Sequence, residues 1–155
     1  MSDDGLDRHE VTYREARAVL EAQRETLSAV DTKAVRTVRI TVVLIGALVS
    51  VWRIDSQLFD SVAVAIAGLA LVVSVATGLF TYNESDLYLG PNEKYIKQLA
   101  DGDFDETGWR NDLLYSFGNW IADNEREIHV CSRLLFASQT SLLCGIAFVG
   151  LSVLL

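Results

Sequence analysis

Residues 61–83, SVAVAIAGLALVVSVATGLFTYN, run for 23 positions without a charged residue or a proline. A helix rises about 1.5 Å per residue, so about 20 such residues cross a hydrocarbon core of roughly 30 Å. A soluble core helix that is apolar on every face needs surrounding layers, which a chain of 155 residues scarcely supplies. The stretch therefore predicts a membrane span, and the rest of the chain is read around it.

Half of the residues are apolar and 22% are charged, a mixture that forces the two kinds apart along the chain. Residues 40–52, 61–83 and 134–155 contain no Asp, Glu, Lys or Arg, and nearly all the charge lies in 1–39 and 84–133. This pattern predicts an all-α integral membrane protein with three transmembrane helices, whose long N-terminal and C-terminal helices extend into a cytoplasmic helical stalk. The expected divisions are a cytoplasmic amphipathic helix over 1–36, a transmembrane hairpin over 37–83 with spans near 37–53 and 61–82, a cytoplasmic helical region over 84–132, and a third span over 133–155. No independent globular domain is expected.

Residues 8–36 contain neither Gly nor Pro, and Tyr13, Ala16, Leu20, Gln23, Leu27, Val30 and Ala34 recur at alternating spacings of three and four. That is a heptad seam with one polar member, and it predicts a long amphipathic helix packed along this face. Nothing breaks it before the first apolar stretch. After the second stretch, Pro91 suits the start of a short helix that runs to about residue 100 and is closed by Asp101 and Gly102. A last helix, capped by Asp105 or Thr107, carries Trp109, Leu113, Phe117 and Trp120 on one apolar stripe and continues into the third span. This stripe is expected to cover the seam around Leu20 and Leu27.

Only 13 residues separate Arg39 from Arg53, fewer than a span requires, so Arg36 and Arg39 are expected to snorkel to one interface while Trp52 and Arg53 anchor the other. Arg133 marks the same interface on the last helix. Twelve Lys or Arg residues flank the spans on the side of the N-terminus and the 84–133 region, and only Arg53 lies on the other side. The positive-inside rule then places the N-terminus in the cytoplasm and the C-terminus outside the cell membrane. The first 30 residues have no apolar core of the secretory kind, which predicts no cleaved signal peptide.

Small residues recur every fourth position within the spans: Gly46 with Ser50, Ala70 with Ser74 and Gly78, and Ala137 with Ser141 and Gly145. Such faces let helix backbones approach closely where lipid removes the hydrophobic drive between helices. They are the expected packing sites, within one chain or between copies.

The net charge of −8 comes from acidic residues interleaved with arginines, so nucleic acid is not an expected partner and the bilayer is. Asp (12) outnumbers Glu (9) and Arg (10) outnumbers Lys (3), a balance that resembles proteins of extremely salt-loving archaea. There is no Gly-rich phosphate loop, no paired-cysteine motif and no HExxH or GxSxG arrangement. No catalytic residue, metal ligand or cofactor is expected, and the protein reads as non-enzymatic. Cys131 and Cys144, 13 positions apart on one helix, lie too far apart along the axis to pair.

Residues 27–45, LSAVDTKAVRTVRITVVLI, place Asp31, Lys33 and Ala34 just ahead of a span that follows a long helix. This arrangement resembles the start of small prokaryotic membrane effectors of the SLATT and Pycsar type, over about residues 10–100. The chain is also similar to haloarchaeal multi-span membrane proteins with an aromatic-rich helix before a last span. The first resemblance implies a membrane hairpin joined to cytoplasmic helices, in nucleotide-triggered antiviral defence with membrane disruption as the output. The 155 residues depart from that pattern in carrying no recognisable nucleotide-sensing segment. The expected function is thus a self-associating defence or signalling effector acting on the membrane, with a homo-oligomer or a membrane-protein partner. An accessory or scaffold subunit anchoring a larger complex is the alternative.

Overall fold

The computed structural model describes residues 8–83, 87–91, 93–102 and 108–154. These are helical apart from short connections, and no strand occurs among them. Helix α1 is Arg8–Ile54, a 3₁₀ turn occupies Ser56–Leu58, and α2 is Ser61–Asn83. The short α3 covers Glu93–Ala100 and α4 covers Gly108–Leu154. Helices α1 and α4 are each 47 residues long. Each passes from a polar half into an apolar half without interruption, as expected where no proline intervenes.

The breaks have local causes. The Asp55 carboxylate accepts from the Gln57 amide at 3.0 Å and shapes the turn after α1. Asp60 caps α2, its Oδ1 accepting from the Ala63 amide at 2.8 Å. Gly90 (φ +153°) precedes Pro91, and Gly102 (φ +78°) lies just past α3, both in backbone conformations that favour glycine. The expected cap of α4 at Asp105 or Thr107 falls outside the described residues.

The chain forms two compact units, Met1–Thr26 with Asp86–Ile128 and Leu27–Ser85 with His129–Leu155. In the first, the polar halves of α1 and α4 pack side by side in parallel. Leu20, Leu113 and Phe117 are buried, and Tyr13, Ala16, Tyr95, Trp109, Trp120 and Ile121 pack around them. The Phe117 ring meets Tyr13 edge-on at 5.5 Å and Trp120 at 5.2 Å between centroids, the favoured geometry for aromatic pairs. The side chain of Gln23, the polar member of the seam, donates to the Ile121 carbonyl at 3.0 Å. On the solvent side Arg14 pairs with Glu10, and Lys97 with Glu93 at 2.5 Å.

In the second unit α2 runs antiparallel to both α1 and α4. The seam of α1 continues inward as Leu27, Val30, Ala34, Thr37 and Thr41, against Ala63, Ala67, Leu71, Ser74 and Thr81 of α2. The α4 contribution is Cys131, Leu135, Ser138, Gly145 and Ser152. Small side chains dominate, and two glycines set the closest approaches. A Cβ built on Gly78 would lie 2.6 Å from Val38 and 3.1 Å from Ser138 Oγ, and one on Gly145 would lie 2.7 Å from Leu71. The Asp60 amide donates to the Ser152 carbonyl at 2.8 Å and joins the start of α2 to the end of α4.

Candidate functional site

The interior of the second unit contains a layer of three hydroxyls, one from each helix. Thr41 Oγ1 lies 3.2 Å from Ser74 Oγ, and Ser74 Oγ lies 3.4 Å from Ser138 Oγ. Ser138 also donates to the Ser74 carbonyl at 2.7 Å, and Thr41 donates to the Thr37 carbonyl at 2.8 Å. All three side chains are fully buried. A second cross-helix contact, from the Cys131 thiol to the Thr81 carbonyl at 3.8 Å, lies further toward the Arg133 end. With the Thr41 and Ser138 protons given to backbone carbonyls, the Ser74 hydroxyl donates to the oxygen of one of its two hydroxyl neighbours, and no donor of the layer is left unmet, as burial requires.

The outer surface of this unit is the opposite. Val43, Leu69, Phe136 and Leu143 are between 67% and 70% exposed, and Leu154 is 83% exposed. Three helices are long and apolar enough to cross a membrane, and only 17%, 28% and 17% of their most apolar windows, in α1, α2 and α4, is buried inside the protein. Arg36, Arg39 and Arg133 are all exposed at one end of the unit, because α1 and α4 run parallel there, and Arg53 is exposed at the other end. Trp52 is half-buried, its ring 6.1 Å from that of Phe59.

The small-residue positions divide into two groups. Ser74, Gly78 and Gly145 are buried between helices, while Ala70 and Ser141 are half-buried. Gly46, Ser50 and Ala137 face outward. Gly46 has open space where a Cβ would stand, and Ser50 donates to its carbonyl at 2.7 Å, so the pair presents only small groups on the surface of α1. Of the candidates in the polar segments, Leu20, Leu113 and Phe117 are buried together, with Trp109 and Trp120 half-buried beside them. Leu27 is buried in the second unit.

Sequence reasoning missed Asn124, Cys131, Ser138 and Ser152. The signal was available. Phe117, Asn124, Cys131, Ser138, Gly145 and Ser152 follow one another every seven residues along α4, and each of them is buried. A strict seven-residue period marks the facing seam of a helix more surely than a four-residue spacing of small side chains.

Among the described residues no group of three or more potential metal ligands comes together. Tyr95 lies with its hydroxyl 3.3 Å from the Trp109 carbonyl. Burial raises its pKa above the usual 10.0, and the neighbouring Asp112 carboxylate, by its charge and by a hydrogen bond, adds to the rise. Comparisons of the chain with protein-family models, with curated proteins and with solved structures found no match.

Proposed function

We propose that the chain is a three-span protein of the cell membrane, with its N-terminus and α3 region in the cytoplasm and its C-terminus outside. One observation carries this reading. The outward faces of three charge-free helical segments expose large aliphatic and aromatic side chains in numbers that water does not tolerate on a soluble chain of this size. Hydrocarbon is the solvent that suits them, and the exposed arginines bracket the apolar band at both ends.

Within that frame the protein works without a catalytic centre or cofactor and associates with copies of itself. The outward-facing Gly46 and Ser50 support this, since small residues on a lipid-facing surface allow a second helix to approach. The resemblance of the 27–45 stretch to SLATT and Pycsar-type proteins supports an effector of defence or signalling whose output is exerted on the bilayer. Crosslinking in native membranes tests the association: dimers or higher species are expected, and monomer alone contradicts it.

An accessory or scaffold role is favoured by a different observation. Tyr115 on α4 and Ile96 on α3 are 79% and 56% exposed in the polar unit, where an aromatic and an aliphatic side chain would suit a docked partner. Purification in mild detergent separates the two readings, because a stoichiometric second protein supports the scaffold and a homo-oligomer supports the effector.

A further inference from the structure

Asn124 is 1% exposed and lies in the first unit, away from the apolar segments. Its side chain is fully engaged. Oδ1 accepts from the Tyr88 amide at 2.9 Å, while Nδ2 donates to the Tyr88 carbonyl at 2.9 Å and to Gln23 Oε1 at 3.3 Å. Gln23 in turn donates to the Ile121 carbonyl at 3.0 Å. One amide therefore grips both backbone groups of a single residue, much as a neighbouring strand would. The need of the Tyr88 amide for an acceptor and of its carbonyl for a donor fixes which way the Asn124 amide points.

Of the three side chains in the gripped segment, Leu87 is half-buried and the other two are exposed. Tyr88 and Leu89 are 54% and 61% exposed, so burial of their side chains contributes only part of what a core residue would gain. Among the described residues, the polar attachment of 87–89 to α4 ends on one side chain, that of Asn124. Leu89 at the same time forms one wall of a groove of about 200 Å³, whose other sides are Arg17, Leu20, Glu21 and Arg24 of α1.

We propose that Asn124 is a latch. It holds residues 87–89 as a releasable strap across the parallel α1 and α4 helices, and through Gln23 it fixes the register of that pair. Register follows from the repeat. A slip of seven residues would bring Asn124 opposite Ala16 or Val30 instead of Gln23, so the half-buried Gln23 amide would lose both its bond to the Ile121 carbonyl and its bond from Asn124, and polar pairs in heptad seams specify alignment for this reason. Release of the strap removes the Leu89 wall and opens the groove beside Arg17 and Arg24 to water.

The test uses the full chain in nanodiscs, with two readouts: hydrogen exchange at the Tyr88 amide, and chymotrypsin cleavage after Tyr88. Asn124→Ala is expected to speed both at least tenfold while amides near Leu113 and Phe117 stay within twofold of the parent. Asn124→Asp keeps the acceptor and loses both donors. It is expected to fall between the two, and it provides the reading if Asn124→Ala does not fold. Exchange at Tyr88 within twofold of the parent in both variants overturns the latch. So does acceleration spread equally over α1 and α4, which would assign Asn124 to general stability.

Discussion

Ser138 donates to the carbonyl oxygen of Ser74 at 2.7 Å, so α4 is tied to the backbone of α2 by a side chain with no exposed surface. Interhelical hydrogen bonds of this kind within apolar helices are worth about 0.6 kcal/mol each. Ser138→Ala is expected to cost about that much. Ser138→Leu is expected to cost more, about 1–3 kcal/mol, because the added carbons meet the tight wall at Gly78. Reversible unfolding in detergent measures both.

The glycines of the second unit are not equivalent. Gly78→Ala forces a methyl to within 2.6 Å of Val38, whereas Gly46→Ala places one in open space. The first is expected to destabilise by about 1–3 kcal/mol. The second is expected to leave unfolding within about 0.5 kcal/mol of the parent, and Gly46→Leu to reduce crosslinked oligomer in membranes. Oligomer unchanged by Gly46→Leu argues that α1 is not the contact between copies.

Phe117 is 3% exposed and touches both Tyr13 and Trp120. Its truncation to Ala is expected to cost about 3–5 kcal/mol, the usual range for a buried aromatic. Tryptophan emission should shift to the red, since Trp109 and Trp120 pack around the same cluster. An unchanged emission maximum would mean that this cluster does not form.

Much of this was legible in the chain. The seam from Tyr13 to Ala34 and the stripe from Trp109 to Trp120 alternate sharply with charge, and both turn inward where their period says they should. Inside the apolar halves that contrast is lost. Ala137, Ser138 and Ser141 are all small and uncharged, so hydropathy does not distinguish a four-residue face from the seven-residue one that is buried. Asn124 was hidden for another reason: its partner is the backbone of Tyr88, 36 residues away, and backbone acceptors leave no trace in side-chain pattern.

Tyr95 gives the first unit an alkaline limit. Its pKa is raised in the folded protein by burial and then by Asp112, so the folded state holds the phenol proton more tightly than the unfolded state. The resulting stability is fully present below the unfolded value of about 10.0 and is lost as pH rises through the higher folded value. Tyr95→Phe is expected to flatten that alkaline decline, and Asp112→Asn to make it smaller, since it lowers the folded value and leaves the unfolded one where it was. Unfolding curves across the alkaline range decide between these outcomes and no effect.

In the proposed topology three helices cross the bilayer, with the 55–60 connection outside and α3 inside. Gln57→Cys and Lys94→Cys, each in a Cys144→Ala background, report the two sides when intact cells are treated with a membrane-impermeant maleimide. Labelling of Gln57→Cys is expected on intact cells, and of Lys94→Cys only after lysis. Labelling of Lys94→Cys on intact cells, or protection of Gln57→Cys there, would contradict this topology.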